Sequence, residues 1–424
     1  MSEKVEVSMD EIQTTWRSWF VCAMVGLQYA ASNAVRQVWT TAIPLAGPEL
    51  GITQAAAGGL NSAYYIGYVI SNLIFGYLVD AIGPKISLAV GTVFSALFTF
   101  LIPFASGYPM MFVLRMAAGL SNGALFAGVA KYQISWFSPQ TRATGMTYMM
   151  AFSSIGASLA SIVLAPIMVN QGWKAGFNWA AGFALACGAL MFAFGTEQGP
   201  ALQRIKKDKD NPPTPEEKKA ERDGLMAVIG KKSFIIGTIG CFLNLGMGQG
   251  FNTWINSYFI EIRGFTIVEA GLIIGVTASL RLFTGPLAGV TSDILRTKKK
   301  LSVFGATTTV IMTLFLMYGP GGVSVLYVIM ILRTIFSSFA GTPLNALQSQ
   351  AAAGKYAGRA MGMYNAVAQV GSVIFPAAYG MIIDKTGGNF TATLWFGIVL
   401  TIAVAVCIAN MEEIAVVKKE KAAA

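Results

Sequence analysis

Stretches of about twenty apolar residues recur along the whole of this 424-residue chain, and that repetition narrows its possible folds more than any single motif. Twenty residues of α-helix cover the hydrocarbon core of a bilayer, so each stretch is a candidate crossing. Hydrophobic residues make up 54% of the sequence and charged residues only 12%. A water-soluble domain carries about 25% charged residues, so this chain lacks the means to cover a water-facing surface. A membrane β-barrel would show short alternating segments instead of continuous apolar runs. The expected class is an all-α integral membrane protein.

Twelve spans are predicted, at 18–45, 55–79, 86–106, 109–137, 143–169, 174–195, 233–260, 266–293, 300–318, 323–350, 357–383 and 390–410. They divide the chain into a tail (1–17), a six-helix bundle (18–195), a linker (196–232), a second six-helix bundle (233–411) and a basic tail (412–424). The linker contains RIKKDKDNPPTPEEKKAERD, a solvated Pro-rich stretch expected to be partly helical near Glu216 to Arg222. The first seventeen residues lack a basic n-region and a cleavage site, so they do not read as a signal peptide.

Lysine and arginine placement gives the orientation. Even-numbered connections hold Lys85, Arg142, the linker cluster, Arg296, Lys298 to Lys300, Lys355 and Arg359, whereas odd-numbered ones hold only Lys174, Arg263 and Lys385. By the positive-inside rule both termini and the linker face the cytoplasm, and the protein is a multi-pass component of the cytoplasmic (inner) membrane. The net charge of +10 is therefore a topology signal, and no nucleic-acid partner is expected. The chain has no histidine, and its four cysteines (Cys22, Cys187, Cys241, Cys407) fall one per span without CxxC spacing. No metal, no cofactor and no catalytic centre follow from such a set, and the chain is not read as an enzyme.

The two halves echo each other. Leu114-Arg115 pairs with Leu332-Arg333, Arg142-Ala-Thr-Gly145 with Arg359-Ala-Met-Gly362, and Asp80 with Asp293, the second member falling roughly 215 positions after the first. Such an internal duplication, with a site between the repeats, is a transporter architecture.

These motifs resemble the major facilitator superfamily. Gly76-Tyr-Leu-Val-Asp80-Ala-Ile-Gly83-Pro84-Lys85 is similar to its cytoplasmic signature G-x-L-x-D-r-x-G-r-r, departing at Tyr77, Ala81 and Pro84. The second-half echo is Gly285-Pro-Leu-Ala-Gly289-Val-Thr-Ser-Asp293. The glycines, Gly76 and Gly83 among them, allow close helix approach, and the aspartates can latch one conformation. Within the superfamily the chain most resembles the anion:cation symporters, with the organophosphate antiporters next. An arginine late in span 1 is typical of both, and Arg36 matches it. Ser62-Ala-Tyr64-Tyr65-Ile-Gly67-Tyr68, Arg115-Met-Ala-Ala-Gly119-Leu-Ser-Asn122-Gly123, Ser135-Trp136-Phe137-Ser138-Pro139 and Gly362-Met-Tyr364-Asn365 match further family patterns. Proton-coupled members carry an aspartate before the span-1 arginine and a glutamate in span 4. Here those positions are Val35 and Asn122. With no carboxylate well inside a span, anion exchange or facilitated transport gains over proton symport.

Arg36 and Arg281 lie near the middle of their spans, one in each half, and Arg281 has no acid one turn away at 277, 278, 284 or 285. An arginine at mid-membrane costs roughly 2.5–3.5 kcal/mol and marks a pathway or a site. Two guanidiniums facing one cavity would be relieved by a bidentate carboxylate or phosphate, each contact worth roughly 4 kcal/mol at 4 Å before desolvation. The alternative is that an arginine caps backbone carbonyls or pairs with a distant acid. Arg115 and Arg333, near the span ends, suggest a structural or gating role, and Lys131 either snorkels to the headgroups or faces inward.

Polar residues at the same depth complete the candidate lining. Spans 1, 2 and 4 offer Gln28, Tyr29, Asn33, Tyr64, Tyr65, Tyr68 and Asn122. Span 7 offers Asn252, Trp254, Asn256 and Tyr258, and span 11 offers Tyr364, Asn365 and Gln369. The expected function is secondary active transport of a small organic anion, a carboxylate or sugar acid, by alternating access, with the anion clamped by Arg36 and Arg281. An anion or phosphate exchanger without proton coupling and a transporter-like sensor are the alternatives. The chain is read as a monomer whose partners are its anion substrate and membrane lipid.

Overall fold

The computed structural model describes residues 14–138, 141–196, 215–319, 322–352 and 357–413. Fifteen α-helices and no strand occur among them. Nine stretches of the described residues are long and apolar enough to cross a membrane. The three other predicted crossings are α1 (Trp16–Leu50), α2 (Gln54–Ile82) and the pair α4 (Tyr108–Ser121) with α5 (Ala124–Trp136), which gives twelve transmembrane helices as two six-helix halves. A further helix, α9 (Pro215–Ile229), covers the stretch of the linker expected to be helical. Residues 1–13 and 414–424 of the two tails and 197–214 of the linker lie outside the described residues.

Helix ends follow local chemistry, with three departures from the predicted spans. The first helix runs through Pro44 and Pro48 to Leu50 and stops at Gly51, whose φ of 61° is left-handed. Each proline removes one backbone bond, whereas unwinding would expose many more in an apolar medium, so the helix continues. The predicted span 109–137 breaks between α4 and α5. There the Asn122 amide donates to Ala118 O at 3.0 Å in competition with the backbone, and Gly123 follows. The predicted span 143–169 divides into α6 (Arg142–Ile162) and α7 (Leu164–Gln171) because the ring of Pro166 collides with the carbonyl four residues back.

α3 (Pro84–Leu101) follows α2 with only Gly83 between them, at φ 87°. Proline at the first helical position needs no N–H, and glycine tolerates the positive φ, so this turn is as short as two helices permit. The remaining helices are α8 (Trp173–Phe194), α10 (Lys232–Glu261), α11 (Ile267–Ile294), α12 (Lys298–Tyr318), α13 (Val323–Ala351), α14 (Ala357–Lys385) and α15 (Phe390–Asn410).

Contacts divide the chain into two compact units. The first comprises Met1–Pro212 with Asn252–Ser279 and Val373–Phe390, and so takes in parts of α10, α11 and α14. Its centre is the backbone-to-backbone packing of α2 on α4: a side chain at Gly119 would run into Tyr64 O, and one at Gly67 into Met116 O. At the end that carries the α1–α2 connection, α2 meets α14 in the same manner, with Gly58 against Pro376 O and Gly380 against Gln54 O. Trp254 Nε1 donates to Pro376 O at 2.9 Å, and Ser158 Oγ of α6 bonds both Gly275 O and Ser279 Oγ of α11 at 2.8 Å. The Asp384 carboxylate accepts from the first two amides of α2, Gln54 N at 3.0 Å and Ala55 N at 2.7 Å.

The second unit comprises Pro213–Phe251, Leu280–Ser372 and Thr391–Ala424. Here α12 packs on α13 at Gly305 against Ala340, and Gly371 of α14 rests on the Phe242 and Gly246 backbone of α10. Gln348 Nε2 bonds Thr238 Oγ1 at 2.9 Å, and Thr284 pairs with Ser338 at 2.8 Å.

Candidate functional site

Arg36 sits half-buried in α1 of the first unit. One edge of its guanidinium donates to Asn33 Oδ1, one helical turn earlier, while Asn33 Nδ2 donates to Tyr29 O at 3.0 Å. The asparagine is thereby fixed in one orientation and presents its oxygen to the cation. The Tyr65 ring lies 5.8 Å from the guanidinium carbon, and Tyr64 meets Tyr65 edge-on at 5.9 Å. Tyr64 OH lies 3.4 Å from Ser32 Oγ. The spacing 64, 65, 68 places the three tyrosines of α2 on adjoining positions of one helix surface. Among the described residues Arg36 has no carboxylate partner. A cation held by neutral dipoles and aromatic rings keeps its charge available to an incoming anion.

Arg115 of α4 is fully buried behind this group. Its Nε donates to Leu60 O at 3.3 Å, Nη1 to Val35 O at 3.1 Å, and Nη2 to both Arg36 O and Asn61 Oδ1 at 3.3 Å. Its carbon lies 5.2 Å from the Tyr64 ring. Four hydrogen bonds, to three carbonyls and an amide oxygen, make Arg115 a bracket joining α1 to α2. Two carbonyls of that bracket flank the position of Arg36 itself.

The other expected lining residues are placed as follows. Gln28 is buried and donates to Cys187 O at 2.8 Å. Asn122 donates to Ser95 Oγ at 2.6 Å, holding α4 to α3 beside the helix break. Asn252 is half-buried, while Trp254, Asn256 and Tyr258 are buried, and Asn256 Oδ1 has no protein partner among the described residues. Arg281 is exposed on α11 in the second unit. Tyr364, Asn365 and Gln369 are half-buried on α14 in the same unit, with Tyr364 OH 3.4 Å from Asn345 Oδ1 and Gln369 Oε1 accepting from Ser372 Oγ at 3.4 Å.

Arg333, the repeat counterpart of Arg115, lies 3.5 Å over the Phe251 ring and donates Nε to Thr313 Oγ1 at 3.0 Å. Asp293 pairs with Lys298 Nζ at 3.3 Å across the α11–α12 turn. Gly83 forms the tight turn described above, while the surroundings of Gly76 and Asp80 lie outside the described residues. Lys131 donates to Val79 O at 2.8 Å, satisfying a carbonyl in the last turn of α2.

Three residues that the sequence did not bring forward are Asn61, Thr253 and Asp384. Asn61 directly precedes the Ser62–Tyr68 motif, which is the one signal that pointed to it. Asp384 stands beside Lys385 at a span end and reads from sequence as a loop charge. No group of three or more metal-ligating side chains occurs among the described residues, and the four cysteines are free thiols.

A multi-pass α-helical membrane protein in two helical halves, with a dipole-held arginine in its first helix, is the class that these observations define. The profile of the Major Facilitator Superfamily matches residues 25–376 and again 282–416. The chain belongs to that superfamily. Similar proteins include the probable galactarate/D-glucarate transporter GudP of Bacillus subtilis (strain 168), 25% identical over 408 residues, spanning 89% of this chain and 88% of that one. The hexuronate transporter of the same organism is 25% identical over 83% of this chain and 85% of its own. The probable sulfoacetate transporter SauU of Cupriavidus necator is 24% identical over 87% of each. Among solved structures, a D-xylose–proton symporter superposes with a TM-score of 0.74 at 15% identity, covering 94% of this chain and 98% of that one. A bacterial homologue of the human lysosomal transporter Spinster gives 0.73 at 14% identity, covering 92% and 95%.

Proposed function

We propose that this protein is a secondary transporter that moves a small organic anion, a carboxylate or sugar acid, across the cytoplasmic membrane by alternating access. The observation that carries the reading is Arg36. It lies at mid-span, is ordered by Asn33, is faced by tyrosines and has no acid beside it among the described residues. Such a guanidinium gains most from a ligand carboxylate, which accepts two parallel hydrogen bonds. Similarity to transporters named for galactarate, glucarate, hexuronate and sulfoacetate, all small anions, supports the same class. Arg281 is proposed as a second cation for the anion, tested by a double-mutant cycle of Arg36→Lys and Arg281→Lys. The lysine- and arginine-rich connections support a cytoplasmic side for both termini and the linker, with the α1–α2 end outside.

Exchange or facilitated transport without proton coupling is favoured over proton symport by two positions. Val35 cannot titrate, and Asn122 is an amide already bonded to Ser95 and Ala118. The test uses purified protein in proteoliposomes, with D-glucarate, hexuronate, sulfoacetate and phosphate in turn. Counterflow of at least one anion, abolished in Arg36→Ala and unchanged by an imposed pH gradient, is the expected result. A thermal shift by a transported anion that persists in Arg36→Ala overturns the site, and strong proton-driven accumulation overturns the coupling.

A further inference from the structure

We infer that Arg115, Asn61 and Thr253 form a directional polar relay that ties the backbone of Arg36 to α10, so that occupancy of the anion site is felt at the end of the first unit where α2, α10 and α14 meet. The inference rests on Arg36 as the anion's partner. Arg115 Nη2 donates at once to Arg36 O and to Asn61 Oδ1, both at 3.3 Å, and Asn61 Nδ2 donates to Thr253 Oγ1 at 2.7 Å. Arg115, Asn61 and Thr253 are all buried.

The direction of the relay is fixed by chemistry. A guanidinium has donors only, so it must meet the oxygen of the Asn61 amide and never its nitrogen. The amide nitrogen is a donor only, so the Thr253 hydroxyl that it reaches must accept from it. A chain of buried bonds of one polarity strengthens cooperatively, and removal of any member leaves an orphaned donor or acceptor in an apolar interior. The relay also joins the two sequence repeats, since α1, α2 and α4 belong to the first half and α10 opens the second.

The coupling acts through charge. Arg115 binds the carbonyl of Arg36, so two cations are held on adjoining positions and repel in the empty protein. An anion at Arg36 neutralises one of them and lets Arg115 settle more firmly on its four acceptors. That tightening is passed through Asn61 to Thr253. Arg115 is thus a positioning residue for Arg36, and Asn61 and Thr253 transmit its state.

The test is thiol labelling at Ser257→Cys, a buried position one turn beyond Thr253, in a background with the native cysteines replaced. Thr253→Val keeps the side-chain shape and removes the acceptor, whereas Thr253→Ser keeps both hydroxyl and polarity. Loss of one buried hydrogen bond predicts labelling about three- to tenfold faster in Thr253→Val, with Thr253→Ser near wild type. D-Glucarate at saturating concentration is expected to slow labelling in wild type and Thr253→Ser but not in Thr253→Val. Equal ligand-free rates in Thr253→Val and Thr253→Ser overturn the relay. Equal D-glucarate protection in both variants overturns the coupling. If no anion alters the wild-type rate or is transported, the functional reading fails by itself, and the ligand-free comparison still decides whether the relay exists.

Discussion

Asp384 offers the sharpest quantitative prediction, because its carboxylate crosses 330 positions of sequence to cap a helix. α2 begins with amides that have no intrahelical acceptor. Thr53 Oγ1 takes Ala56 N at 3.2 Å, and the two carboxylate oxygens of Asp384 take Gln54 N and Ala55 N. Asp384→Ala removes two charge-assisted bonds and the negative charge at a positive helix end. A cap residue is worth about 1 kcal/mol and the charge–dipole contribution about 0.3–1 kcal/mol at an exposed site, so the loss is about 1–2 kcal/mol. This contact exists only while α14 lies against α2, so the whole loss falls on that arrangement. The ratio of separated to joined states should then rise about 5- to 30-fold. Asp384→Asn keeps one acceptor oxygen and should give about half the free-energy effect, a two- to fivefold rise. The assay is again the labelling rate at Ser257→Cys, with the melting temperature as a control for folding. The difference between wild type and Asp384→Ala should shrink in high salt, which screens an exposed charge. An unchanged labelling rate in Asp384→Ala at low salt refutes the capping argument.

Other expectations follow from the same contacts. Arg36→Lys should weaken anion binding at least about tenfold by calorimetry, since an ammonium cannot match a carboxylate with two parallel bonds. Gly83→Ala places a Cβ at φ 87° and should lower stability by about 1–2 kcal/mol, read as a reduced melting temperature of the detergent-solubilised protein. Asn122→Glu introduces a titratable group where the chain now has an amide, and should make counterflow depend on pH, whereas pH-independent flux in that variant would count against the account of coupling. Phe251→Leu should loosen the Arg333 side chain by removing a ring 3.5 Å away, detectable as lower thermal stability with anion affinity unchanged.

Much of the frame was legible because a bilayer demands length and apolarity, and both are countable in sequence. The breaks were not. Asn122 and Pro166 lie inside runs whose hydropathy is continuous, and only the Asn122 amide bonding to Ala118 O and the clash of the Pro166 ring with the Ile162 carbonyl divide those runs. The extension of α1 through two prolines was hidden for the opposite reason, since local propensity argued for a stop that the surroundings overruled. Of the site, Arg36 stood out as a charge with no neighbour to excuse it. The bracket made by Arg115 was invisible, because its acceptors are mainly backbone carbonyls, and a carbonyl has no letter in the sequence. Asp384 had a letter, but its partners were amides in another helix.

The turn at Gly83 has a mechanical consequence. Between Ile82 and Pro84 the chain has one residue, and the ring of Pro84 fixes the next torsion, so Gly83 alone supplies the freedom between α2 and α3. Such a joint has almost no slack to absorb movement. A tilt of α2 must therefore be delivered to α3 as a tilt, in the manner of a bent lever rather than two rods on a cord. The Asp384 cap grips one end of that lever, and Lys85 sits at its bend, in the first turn of α3.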